Sequence, residues 1–327
     1  MKNIINFLEK YGNSTFQEKK FTEADLIIFT QLSYTNLNKI VPESFFKGIF
    51  LSDAIKKSKI YNSCDICENK FKLLSLVVNC KRYKNVKVCG YWYANCVAGE
   101  PIQFAAMTFK IFDNLNIVSY RGTDSTLHGW KEDFLFGYRK KTQAQKSARI
   151  YLEKALERLR GRFIISGHSK GGNLAVYSSA FINDSNIDRV VKIYNYDGPG
   201  FNESQDIFKS KSYKKLCSRI VCLRPQHSII GQLLIDAPYC KNYVIHSNST
   251  GIIQHDLFSW EINDNGNLNL HHPNRIDIKY KFLMDIINNK IFNLSFNKRK
   301  EFIEYIFAIF EIGDLGNEII RKIEKYI

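Results

Sequence analysis

Phe163-Ile164-Ile165-Ser166-Gly167-His168-Ser169-Lys170-Gly171-Gly172-Asn173-Leu174-Ala175 is the stretch that decides how the rest of the chain is read. It begins as a short apolar strand, passes through Gly-x-Ser-x-Gly, and continues into an Ala-containing helix. A strand, a sharp turn and a helix around a serine make a nucleophile elbow. Gly167 and Gly171 remove the Cβ atoms that would collide at such a turn, and Gly172 lets the helix pack close to the strand. The hydroxyl of Ser169 then stands clear of the sheet edge, and the N–H of Lys170 opens the following helix, where a developing negative charge is favoured. The alternative is a tight strand-to-helix turn carrying a solvated serine.

A serine at its ordinary pKa needs a base within hydrogen-bond reach. The chain has seven histidines. When acid and base follow the nucleophile in sequence, His128 and His168 are removed, and His168 is expected to pack beside the serine. His255, in Gly251-Ile252-Ile253-Gln254-His255-Asp256, follows a late strand and is the favoured base over His227, His246, His271 and His272. For the acid, Asp197 in Tyr196-Asp197-Gly198 ends the strand after the elbow helix, on the same sheet edge as Ser169. An Asp-Gly turn explains the same residues, Asp236 is the runner-up, and Asp256 would have to fold back on its neighbour. The second oxyanion donor, beside Lys170 N–H, is expected from Arg121-Gly122-Thr123, where Thr123 offers both an N–H and a hydroxyl.

Outward from the elbow, strand and helix alternate over about 142–196, which predicts a parallel sheet. A helix is expected from about Thr142 to Arg160, with Ala144, Ala148, Tyr151, Leu152, Ala155 and Leu159 on one face and Gly161 at its end. Strands are expected at Leu73–Val78, Phe104–Phe112, Ile117–Tyr120, Val190–Tyr196, Arg219–Leu223 and Tyr243–His246. Helices are expected around Phe21–Phe29, capped by Thr22, and at Lys300–Phe310. The chain divides into a helical N-terminal extension (1–70), an α/β core (71–270) and a helical C-terminal extension (271–327), forming one continuous domain.

The 327 residues are 45% hydrophobic, enough for a large core. No stretch approaches the roughly 18–20 apolar residues of a membrane span. The N-terminus opens no apolar segment with a cleavage site, so no secretory signal is expected and the eight cysteines are read as reduced thiols. Cys64-x-x-Cys67 has zinc-ligand spacing, with Cys80 or Cys89 to complete a site, but no second close pair accompanies it, and no metal is expected. The net charge of +15 favours anionic surfaces, without any nucleic-acid-binding motif.

Four motifs together resemble lipase class 3, and more closely a bacterial branch of lipase-like proteins. They are Arg121–Phe134 (Arg-Gly-Thr-Asp-x-Thr-Leu-x-Gly-Trp-Lys-Glu-Asp-Phe), Gly167–Ala175, Asp197–Phe201 (Asp-Gly-Pro-Gly-Phe) and Gln254–Asp256. Trp130 and Asp133 stand where that family carries a Trp and an Asp after its oxyanion loop. The resemblance implies an α/β-hydrolase fold and an acyl-ester hydrolase with Ser169 as nucleophile and His255 as base, working without a cofactor. It also implies that Thr126–Phe136 lies beside or over the pocket. Two departures stand out. Where lipase class 3 places its acid, this chain reads Ser228-Ile229-Ile230-Gly231, so the acid moves to Asp197 or is missing. Lys170 replaces an apolar residue, and its ammonium is expected near the pocket, receiving an anionic head group or tying a carboxylate. The expected location is the cytoplasm, with peripheral contact to anionic membrane surfaces.

Overall fold

The computed structural model describes residues 2–58, 67–97, 99–123, 136–137, 139–295, 297–302 and 305. Eight strands form one sheet in sequence order: β1 (Ile49–Phe50), β2 (Lys87–Val97), β3 (Glu100–Phe112), β4 (Leu115–Tyr120), β5 (Arg162–His168), β6 (Val190–Tyr196), β7 (Ile220–Pro225) and β8 (Lys241–Ile245). β1 to β4 pair antiparallel, and β4 to β8 pair parallel. β3 and β4 are joined by a tight turn at Asp113-Asn114, short enough to hold the hairpin register.

Parallel neighbours in sequence order, joined by right-handed crossovers, put their connecting helices on one face of a sheet. The helices Gln143–Arg158 and Lys170–Ser179 share one apolar core with Val118, Tyr120, Phe163, Ile165 and Cys222. The late helix Ile278–Asn293 joins that core through Leu283, Met284, Ile287 and Ile291. The opposite face is covered by the N-terminal residues together with Leu257, Trp260, Ile262 and Leu268. The helices Ile4–Tyr11, Glu23–Leu32, Leu51–Lys56 and Glu68–Asn79 cover it, against Val88, Met107, Phe109, Ile117, Val221 and Leu223. Successive residues such as Ile117 and Val118 go to opposite cores, as a period of two requires. This is an α/β-hydrolase architecture, with the elbow at the carboxyl end of β5.

The helix Gln143–Arg158 starts from a capping box between Thr142 and Gln145. Its expected face, from Ala144 to Leu159, is buried throughout. The helix Glu23–Leu32 is buried all round, which suits a segment packed between the sheet and the outer helices.

One expectation is corrected. Leu73–Val78 is no strand but part of the helix Glu68–Asn79. Leu73, Leu74, Val77 and Val78 are its buried residues, and their spacing of one and four places them on one helical face. Their β-branched and apolar run imitates a buried strand. β2 carries Cys89 and Cys96 in a stretch the sequence did not resolve into a strand. Lys300–Phe310 lies largely outside the described residues, as do Cys64 and most of Thr126–Phe136, including Trp130 and Asp133. Of the other thiols named for a metal, Cys67 is exposed and Cys80 and Cys89 are buried. Among the described residues, no helix is long and apolar enough to cross a membrane.

Candidate active site

Ser169 sits between β5 and the helix Lys170–Ser179 with φ +56° and ψ −130°. A non-glycine residue at positive φ is strained and persists only where its surroundings hold it there. Ser169 N–H donates to Tyr196 O at 3.0 Å, and Ser169 O accepts from Gly172 N–H at 2.8 Å. The turn closes so tightly that a Cβ on Gly167 would stand 2.0 Å from Gly171 O. The helix N-terminus therefore lies directly against the end of β5.

The same ladder carries the acid candidate. His168 pairs with Tyr196 in register, so Asp197 comes next to Ser169 along the sheet edge. Asp197 is buried, at φ +49°, and its N–H bonds Leu223 O at 2.8 Å. Asn173, on the elbow helix, donates to Pro199 O and Gly200 O at 3.2 and 2.7 Å and fixes the loop that leaves Asp197.

The structure brings His255 to this edge. Its Nδ1 is 2.7 Å from Asp197 Oδ2. Its ring centroid lies 4.5 Å from that of His168, the residue before Ser169. Ser228 Oγ donates to the other carboxylate oxygen, Asp197 Oδ1. The loop after β7 thus supplies a hydroxyl, while the carboxylate comes from the end of β6. Asp236 is engaged elsewhere, by both terminal nitrogens of Arg224. Asp256 caps the turn after His255 by accepting from Phe258 N–H at 3.0 Å. The other histidines have separate tasks. His227 accepts from Gly251 N–H at 3.1 Å and stacks on Tyr280. His271 lies against His246 and bonds Gln226 and Pro273, and His272 precedes a cis proline.

His168, Tyr34 and Ser228 are the contributions that sequence reasoning missed or only placed loosely. His168 Nε2 is 2.8 Å from His255 O and its Nδ1 is 2.9 Å from Tyr34 OH. A carbonyl accepts only, so Nε2 carries the proton and Nδ1 accepts from the phenol. His168 thereby holds the backbone of His255. Burial, followed by the nearby His255, pushes its pKa well below 6.5, so it stays neutral. The only signal in the sequence was its place inside the elbow.

This neutrality has a stability consequence with a fixed sign. The unfolded chain takes up a proton at this histidine below about pH 6.5, whereas the folded chain does not. Stability is therefore lost as pH falls below about 6.5, by up to about 1.4 kcal/mol per pH unit for this group. Urea unfolding of the wild type and His168→Gln between pH 5 and 7 should show a shallower slope in the variant. Equal slopes would remove His168 from the account.

Where the second oxyanion donor is expected, Gly122 approaches Ser169 closely: a Cβ there would lie 3.1 Å from Ser169 Cβ and 2.2 Å from Tyr34 OH. Thr123 follows it, half-exposed. Lys170 is buried. Its side chain is 1% exposed, and its Nζ donates to Gln103 O on β3 at 2.8 Å. The ammonium is turned toward β3, while the Lys170 N–H remains at the first position of the helix.

A family model described as Mbeg1-like matches residues 77–308 of this 327-residue chain. The chain belongs to the Mbeg1-like family. The Mbeg1-like span runs from the end of the helix Glu68–Asn79 past β8 and contains Ser169, Asp197 and His255. No curated protein matches the sequence. Solved structures with some likeness include M37 lipase, 13% identical at a TM-score of 0.38 over 64% of this chain and 69% of that one. A fungal lipase–inhibitor complex is 12% identical at 0.39, over 69% and 80%. The Rhizomucor miehei lipase propeptide complex is 12% identical at 0.40, over 68% of each chain.

Proposed function

We propose that this protein is a serine hydrolase of carboxylic esters, with lipid acyl esters as the substrate class. The observation that carries the reading is the 2.7 Å bond between His255 Nδ1 and Asp197 Oδ2, made at the edge where Ser169 is held in an elbow conformation. With Nδ1 engaged, His255 presents Nε2 to take the Ser169 proton as Oγ attacks the acyl carbon. The imidazolium returns that proton to the leaving alcohol, and a water repeats the sequence to release the acid. Asp197 orients the ring and stabilises its charged form. The N–H groups of Lys170 and Thr123 receive the oxyanion, each donor typically worth about 10²–10³ in rate. Neither step requires a metal or an organic cofactor. The net charge of +15 supports attraction to anionic lipid surfaces.

A fluorophosphonate probe tests the reading, because it reacts only with an activated serine. Wild type should label, Ser169→Ala and His255→Ala should not, and Ser169→Cys separates the hydroxyl from its position. Silence of the folded wild type, also with detergent or vesicles present, would overturn it. Labelled protein is then offered ester, thioester and amide substrates, and esters should turn over fastest.

A further inference from the structure

Arg121 is the buried charge that the proposed mechanism leaves unused. It is 6% exposed, and its Nε and Nη2 have no hydrogen-bond partner. Among the described residues it makes no ion pair either. Its guanidinium lies over the ring of Tyr93, 5.4 Å from the centroid. Among the described residues, the buried Arg82 and the half-buried Arg224 and Arg189 are compensated. Arg82 is held by Asp25 at 2.6 and 2.7 Å and by the carbonyls of Lys19 and Lys20. Arg224 takes the carboxylate of Asp236. Arg189 is surrounded by Leu156, Leu159 and Gly161 carbonyls. An uncompensated guanidinium in such a place is unfavourable unless an anion meets it.

The place is informative. Arg121 N–H bonds Ala105 O at 3.0 Å, which fixes the end of β4, and the next residue, Gly122, is the one that approaches Ser169. Tyr34, bonded to His168, touches Gly122 from the other side, and the following residue, Thr35, carries another buried hydroxyl without a partner. The two orphaned nitrogens of Arg121 are those on one edge of the guanidinium. That edge receives two oxygens of a carboxylate or a phosphate side-on.

We propose that Arg121 is the receptor for an oxyanionic group, carboxylate or phosphate, carried by the ester substrate close to the bond that Ser169 attacks. This deepens the serine-hydrolase reading and rests on it. It narrows the substrate class to acyl esters bearing a negative charge a few bonds from the scissile carbonyl, and sets neutral esters aside. The +15 charge of the chain steers such substrates toward the site.

The test measures how octyl phosphate, octanoate and octanol slow fluorophosphonate labelling of Ser169 in the wild type and in Arg121→Gln. In the wild type at least one anion should protect at about tenfold lower concentration than octanol, as a charge-assisted pair implies. The stronger of the two anions identifies phosphate or carboxylate. Arg121→Gln should abolish that preference. Equal protection by anions and octanol in the wild type, or a preference that survives in Arg121→Gln, overturns the proposal. Should Arg121→Gln fail to fold, Arg121→Lys takes its place: it keeps the charge but loses the fork, and an undiminished preference there overturns the proposal as well. If the wild type does not label at all, the hydrolase reading fails separately. The anions are then followed by melting temperature, and a rise with octyl phosphate or octanoate that is absent in the Arg121 variant supports the receptor, while no difference overturns it.

Discussion

Asp197→Asn is expected to lower kcat by about 10⁴ while leaving the melting temperature close to that of the wild type. Asparagine has the same shape as aspartate and tolerates the left-handed backbone that Asp197 adopts at φ +49°. The backbone bond to Leu223 O is indifferent to the side chain. The chemistry is not. With its amide nitrogen toward His255, the variant would present a donor where Nδ1–H now finds an acceptor at 2.7 Å. The ring would then hold its proton on Nε2, facing the serine, and could not accept another. With the amide turned over, the carbonyl accepts from Nδ1–H, and the Ser228 hydroxyl can rotate to suit. The negative charge that stabilises the imidazolium is still gone. Steady-state turnover of a chromogenic ester that the wild type hydrolyses, beside a thermal melt, decides the matter. A kcat within tenfold of the wild type would mean that Asp197 only builds the turn, the reading under which Asp-Gly is a loop signal.

Asp25→Ala should destabilise the fold by about 3–5 kcal/mol, since it strips the partner from a buried guanidinium. Both side chains of the Asp25–Arg82 pair are fully buried. Asp25 Oδ1 accepts from Arg82 Nε at 2.6 Å and from Tyr83 OH at 2.7 Å. Oδ2 accepts from Arg82 Nη2 at 2.7 Å and from the Thr22 N–H and hydroxyl at 2.8 and 2.9 Å. The substitution thus also removes the Asp25 half of the capping box that opens the helix Glu23–Leu32. That helix bears on the elbow, because Thr30 Oγ1 donates to Ser166 Oγ at 2.9 Å, and Ser119 Oγ reaches the same oxygen from β4. Urea unfolding measures the loss. The double variant Asp25→Leu/Arg82→Met should recover part of it, because removing both groups leaves no buried charge uncompensated. A loss below about 1 kcal/mol in Asp25→Ala would show that the pair is not what fastens the N-terminal layer.

The elbow was legible because everything it needs is local. Strand, glycines, serine and helix start lie within 13 consecutive residues, Phe163–Ala175, and sterics alone relate them. The long capped helix after Thr142 and the strand Val190–Tyr196 were legible for the same reason, since period and punctuation repeat over short windows. Leu73–Val78 failed because a six-residue apolar run satisfies strand and helix alike, and only its packing on the N-terminal helices selects one.

The acid was of the other kind. Asp197, Asp236 and Asp256 all follow the serine, and the strand-end position that ranks Asp197 first is equally that of an Asp-Gly turn. His255 is 58 residues from Asp197, so their meeting depends on how β6, β7 and the loop after β8 line up across the sheet. Arg224 claims Asp236 at close range, a fact with no local signature. The same holds for the inward turn of Lys170 and for the unpaired edge of Arg121. The sequence by itself determined a nucleophile elbow on a parallel sheet, because its steric and hydrophobic rules act between near neighbours along the chain. Only the tertiary structure decided which carboxylate meets His255 and which buried cations are paired, because hydrogen bonds and charges act over a few ångströms in space between residues far apart in sequence.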